Sequence, residues 1–258
     1  MRENDAVGSY RDDGIVLRTQ KLGEADRIIT LLARRTGRIR AVAKGVRRTR
    51  SRFGARLEPF THVDLLLHTG RSLDVITQAE TLRPYGETLG GDYPRYTTGT
   101  AMLEAAEKFT PVEKEPALRQ FLLLVGGLRA LGERVHDPRL VLDAFLLRSL
   151  AVAGLAPVLD ECAGCGARAE PAASRAGQPL RAFSIAGGGL TCRTCRAAGA
   201  ASPATGTIGL MTALLRGDWE HADGSERRYQ VECSGLVAAY VQWHLEHTIR
   251  SLRHVEHV

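Results

Sequence analysis

No stretch of this 258-residue chain approaches the 18 or more apolar residues of a membrane span, and its opening (MRENDAVGSYRDD) lacks the apolar core of a secretory leader. A soluble, cytosolic protein without a membrane partner is therefore expected. The phosphate-binding G-x-x-x-x-G-K-[ST] loop, the metalloprotease H-E-x-x-H and the hydrolase G-x-S-x-G are also missing. Gly187-Gly188-Gly189 has no strand–turn–helix setting and reads as a turn. Carboxylates such as Glu104, Glu107 and Asp143 stand isolated at helical positions and read as surface or bundle pairs. Neither a clustered-carboxylate nuclease nor any other enzyme is expected. Aromatic residues make up only 5% of the chain, and few lie near its basic region beyond Phe53 and Phe60. Base stacking, a strong term in single-strand binding, is expected to be minor.

A disulfide framework is a further absence to expect, because five cysteines occur without a secretion signal. Four of them form two tight pairs, Cys162-Ala-Gly-Cys165 and Cys192-Arg-Thr-Cys195, separated by 26 residues. A C-x2-C turn aims both sulfurs at one point. Two such turns supply the four thiolates of a tetrahedral Zn2+ site, and Gly164 and Gly166 ease the first knuckle. The rival, a thioredoxin-like redox dithiol, needs one pair inside a βαβ pattern that is missing. Four thiolates leave no open position for activated water. Structural zinc held by Cys162, Cys165, Cys192 and Cys195 is expected. Cys233 stands alone and reads as a small core residue. His244, His247, His254 and His257 read as solvated side chains suited to a helix C-terminus, not as ligands.

What the chain does hold is concentrated positive charge. The net charge is +6, yet within residues 18–56 thirteen Lys or Arg face two acids, Glu24 and Asp26, a local balance of +11. Such a field attracts polyanions, of which nucleic acid is the commonest in cells. In RIRAVAK (residues 38–44), Arg38, Arg40 and Lys44 alternate with Ile39, Ala41 and Ala43, giving a half-buried strand with a basic outer face. Residues 31–44 read as a hairpin about Thr36-Gly37, and residues 13–20 as a strand before it. Residues 45–56 form a connection too charged to be core. Residues 62–67 and 72–78 are a second strand pair about Thr69-Gly70-Arg71. Five strands in a meander with one long basic connection fit a small barrel, and the OB-fold is the best-known nucleic-acid-binding example.

After Pro84 helical spacing takes over. Core helices are expected over residues 93–109, 118–131 and 138–153, the last opened by Asp137-Pro138 as cap and first-turn residue. Residues 157–203 are loop-rich, and further helices follow near 206–217 and 230–252. The expected fold class is α+β. An OB barrel occupies residues 1–85, and a helical domain over residues 86–258 carries the zinc motif at about 158–203.

Residues 23–60, GEADRIITLLARRTGRIRAVAKGVRRTRSRFGARLEPF, resemble the N-terminal domain of the RecO family of bacterial recombination mediators. The GEADRIITLL opening, the TGR turn, AKGVRR and LEPF carry the match. LVLDAFLLRSLAVAGLAP (residues 140–157), running into the first cysteine pair, and WHLE (residues 243–246) are similar to later family segments. The first nine residues look like an extension without counterpart. The resemblance implies an OB barrel, a helical domain and a four-cysteine zinc motif between helices. It also implies a DNA repair and recombination mediator that binds single- and double-stranded DNA and anneals complementary strands. Such a protein associates with RecR and with the C-terminal tail of single-stranded-DNA-binding protein, helps load RecA onto coated DNA, and is cytoplasmic and nucleoid-associated.

On this reading Arg34, Arg35, Arg38, Arg40, Lys44, Arg47, Arg48, Arg50, Arg52 and Arg56 contact phosphates. Guanidinium forks suit phosphate oxygens and carry no base pattern, so binding should be independent of sequence. The residues alone leave open a zinc-containing RNA-binding or translation-associated protein, since OB folds and zinc ribbons serve RNA equally well. A purely structural interaction module would leave the basic segment unexplained.

Overall fold

The computed structural model describes residues 8–48, 51, 53–168, 180 and 182–245, in two compact units divided between Val135 and His136. In the first unit, β1 (Ser9–Leu22), β2 (Asp26–Ala33), β3 (Gly37–Ala43), β4 (Thr61–His68) and β5 (Asp74–Pro84) close a barrel in the order β1-β2-β3-β5-β4. This is the expected OB-fold, but it is not a simple meander. β1 pairs antiparallel with both β2 and β4, and β3 meets β5 in parallel at Ala41↔Asp74 and Val42↔Val75. An irregularity in β1 between Val16 and Arg18 bends the strand, as a bulge does, so that one strand serves two neighbours.

The alternation in β3 has the consequence its pattern requires. Ile39, Ala41 and Ala43 are buried with Val16, Ile29, Leu31, Val63, Leu65, Leu67 and Ile76, while Arg38 and Arg40 face outward. The charged connection after β3 departs from expectation. Its Val46 and Phe53, with Leu57 just beyond, enter the barrel core. Burying a side chain of this kind is worth about 1.5–3 kcal/mol, enough to pull an otherwise basic loop onto the barrel. The β2–β3 turn is pinned from below by buried Asp12, which accepts from Thr36 N (2.9 Å), Thr36 Oγ1 (2.7 Å) and Arg35 N (3.2 Å). Gly37 in that turn has φ 80°, and a Cβ there would meet the Glu115 carbonyl oxygen at 1.7 Å.

Helices α1 (Tyr85–Leu89), α2 (Tyr93–Phe109) and α3 (Leu118–Glu133) complete the first unit, with α2 and α3 packed against β1. α2 starts where Asp92 accepts from Arg95 N (3.1 Å) and Pro94 takes an early position that needs no donor. The second unit contains α4 (Pro138–Val152), α5 (Thr205–Arg216), α6 (Trp219–Asp223) and α7 (Arg227–His244), with a small hairpin of β6 (Ala182–Ser184) and β7 (Gly189–Thr191). Asp137 caps α4 by accepting from Arg139 N at 2.8 Å. Its core joins Leu140, Phe145 and Leu147 of α4 to Leu210, Met211 and Leu214 of α5 and to Val237, Tyr240 and Val241 of α7. Residues 246–252, expected to extend the last helix, lie outside the described residues. No helix among the described residues is long and apolar enough to cross a membrane.

Candidate nucleic-acid interface and metal centre

The Sγ atoms of Cys162, Cys165, Cys192 and Cys195 all lie within 4.8 Å of one another, and those of Cys165 and Cys192 are 3.9 Å apart. A tetrahedral zinc with Zn–S of about 2.3 Å separates its sulfurs by about 3.8 Å, so this donor set fits such an ion. Backbone bonds hold the knuckles in place. Ala163 N donates to Leu190 O of β7 (2.7 Å), Cys162 N donates to Ala167 O (2.8 Å), and β7 delivers Cys192 one residue past its end. At Gly164 the two knuckles touch: a Cβ would sit 3.0 Å from Cys195 Cβ and 3.1 Å from its Sγ.

The electrostatics of the four thiols point the same way. Cys162 is drawn down to about 6, first by the N–H of Cys192 and then by those of Cys165 and Gly164. Cys195 is pushed up to about 12 by the crowded sulfurs of Cys165, Cys192 and Cys162. Four thiolates crowd into this space only when a cation offsets their mutual repulsion, and a divalent metal bound by all four offsets half of their −4 charge. Cys233 on α7 is not part of the cluster; it is a buried core thiol whose pKa burial raises.

Of the ten basic side chains expected to face phosphates, the eight among the described residues do not form one patch. Arg50 and Arg52 lie outside the described residues. Arg34 and Arg35 are exposed at the β2–β3 turn, where Arg35 comes 3.5 Å from Asp12. Arg38 and Arg40, on the outer face of β3, meet acids: Glu107 at 3.8 Å and Glu113 at 3.6 Å. Glu107 also takes two bonds from Arg18, at 2.9 and 3.2 Å. Lys44, Arg47, Arg48 and Arg56 are exposed beyond the other end of β3. Arg47 is steadied by the carbonyls of Glu24 (2.9 Å) and Gly23 (3.3 Å). Lys44 and Arg48, like Arg34, have no side-chain partner among the described residues.

Seven residues of β3, at about 3.3 Å each, keep the two cationic groups roughly 20 Å apart. A largely neutralised strip lies between them. The pairing of Glu107 and Glu113 with Arg38 and Arg40 escaped the sequence reading because a pairing across some 70 residues leaves no local signal. Asp26, one of the two acids in the basic segment, is occupied by the backbone N–H of Gly45 at 2.7 Å.

The isolated carboxylates also separate. Glu107 joins helix to barrel, as a pair should. Asp143 is fully buried on α4, accepts from Ser234 Oγ of α7 at 2.6 Å, and has its carboxyl pushed up to about 7 by burial, against the pull of that hydrogen bond. His244 packs on Tyr240 with ring centroids 4.5 Å apart, while His247, His254 and His257 lie outside the described residues.

An OB barrel with a basic β3–β4 connection, followed by a helical unit carrying a four-cysteine cluster, defines a two-part α+β architecture. Two family models match: "Recombination protein O N terminal" over residues 7–85 and "Recombination protein O C terminal" over residues 90–253. The chain belongs to the RecO family. It is 66% identical over 247 residues to the DNA repair protein RecO of Thermobifida fusca, covering 96% of this chain and 98% of that one. The corresponding proteins of Streptomyces avermitilis and a Nocardioides species are 59% and 58% identical, each over 96% of this chain and 98% and 99% of their own.

Proposed function

We propose that this chain acts in DNA repair and recombination as a non-catalytic mediator in the cytoplasm, at the nucleoid. It holds single- and double-stranded DNA by their phosphates and anneals complementary strands. With RecR, it helps load RecA onto DNA coated by single-strand-binding protein, whose C-terminal tail it contacts. The supporting observation is the exposed set Lys44, Arg47 and Arg48, whose side chains pair with no carboxylate among the described residues, on the β3–β4 connection of an OB barrel whose relatives are DNA repair proteins. Arg50, Arg52 and Arg56 continue that connection, and Arg34 and Arg35 offer a second contact. Annealing then follows physically: cations that neutralise two backbones lower their repulsion, and base pairing drives the joining.

Residues 1–85 carry the phosphate contacts, and residues 86–258, whose α1–α3 belong to the barrel's compact unit, carry the partner contacts and the structural Zn2+ on Cys162, Cys165, Cys192 and Cys195. A strand-annealing assay, with and without single-strand-binding protein on the DNA, tests the reading. Acceleration for unrelated sequences and about one zinc per chain are expected; annealing at the protein-free rate overturns it. Preference for RNA of matched sequence would favour the translation-associated alternative.

A further inference from the structure

Stacking is expected to be weak because only Phe53 and Phe60 lie near the basic connection, and both prove buried, at 1% and 3% exposure. The fold supplies other rings. Phe60 closes the connection with φ 70°, a left-handed conformation that is costly for a bulky side chain and persists where the surroundings fix it. Its ring fills the notch at Gly99 of α2, where a Cβ would lie 2.9 Å away, and packs against Tyr96 with centroids 5.3 Å apart. Tyr96 stays 44% exposed, and Tyr93, one turn earlier on the same face, 63%. Neither hydroxyl has a partner among the described residues.

Two cationic side chains lie close along the chain or across the sheet to Phe60, the ring against which Tyr96 packs. Arg83, exposed and without an acidic partner among the described residues, pairs across the sheet with His62, two residues past Phe60. On the other side Arg56 is four residues away, at most about 14 Å of chain. The nearby carboxylate of Asp92 is occupied by the N–H groups of Arg95.

We propose that Tyr93 and Tyr96 form a stacking ledge for unpaired bases of single-stranded DNA whose phosphates lie along the β3–β4 connection. The inference rests on the phosphate reading above and adds what phosphate contacts cannot give, a preference for single strands. Bases in a duplex already stack on one another, whereas unpaired bases gain from a protein ring whatever their identity.

The test is fluorescence anisotropy of the full chain with labelled oligothymidylate and with a duplex. The variants are Tyr93→Ala, Tyr93→Ala/Tyr96→Ala, Tyr93→Phe/Tyr96→Phe and Lys44→Ala/Arg48→Ala. Each lost ring should weaken single-strand binding roughly five- to a hundredfold, with duplex affinity and salt slope unchanged, and the Phe pair should retain binding. Tyr93→Ala is informative even if Tyr96→Ala disturbs Phe60, because Tyr93 is the more exposed ring. A Tyr93→Ala affinity within twofold of wild type, or equal losses on both DNAs, overturns the ledge. In those cases weakening by Lys44→Ala/Arg48→Ala keeps the phosphate reading, and no weakening removes that reading as well.

Discussion

Asp143 makes the stability of the second unit depend on pH in a direction opposite to that of an ordinary salt-bridged carboxylate. Its folded-state pKa is about 7, raised by complete burial, against about 3.9 in an unfolded chain. The unfolded state therefore releases the proton first. Stability is fully present below about pH 4 and is lost as pH rises through about 7. A shift of about three units corresponds to about 4 kcal/mol in total, of which about 2 kcal/mol falls between pH 5.5 and 8. Asp143→Asn keeps an oxygen for the Ser234 hydroxyl and cannot ionise, so any cost of its extra amide donors, about 1–3 kcal/mol, is constant with pH. Urea unfolding of wild type and variant at both pH values isolates the effect. The wild type should lose about 2 kcal/mol more than the variant on moving from pH 5.5 to 8. Parallel losses would refute the burial argument.

Two structural variants follow from the same reasoning. Asp12→Ala removes the acceptor shared by Thr36 N, Thr36 Oγ1 and Arg35 N; about 2–4 kcal/mol of stability should be lost, read by urea unfolding. Gly164→Ala forces a methyl onto Cys195 at 3.0 Å. Zinc should then pass to a chelating dye at roughly tenfold lower dye concentration, with the four ligands intact.

Local chemistry was readable in the sequence wherever one residue and its neighbours decide the outcome. The period-two run of β3, the Asp137-Pro138 start of α4 and the spacing of the cysteine pairs each produced the element they imply. Long-range choices were not readable. Parallel closure of β3 on β5 depends on the whole barrel, and the acids opposite Arg38 and Arg40 arrive from beyond the barrel, at Glu107 and Glu113. Asp143 looked like a surface or bundle carboxylate because burial is set by α7, some 90 residues later. The short α1 and the β6–β7 hairpin carry too few residues for a periodic signal. Phe53 was visible as an aromatic near the basic segment, but only the fold shows that it is core.

The salt dependence of single-strand binding tests the phosphate account most directly. If Lys44, Arg47, Arg48, Arg50, Arg52 and Arg56 each neutralise one phosphate, log K should fall against log salt with a slope of about −4. Lys44→Ala/Arg47→Ala/Arg48→Ala should bring the slope to about −2 for any sequence, and Arg38→Ala/Arg40→Ala should leave it near −4, because those two face carboxylates. An unchanged slope in the triple variant, or a flattened one in the Arg38/Arg40 pair, would contradict the account.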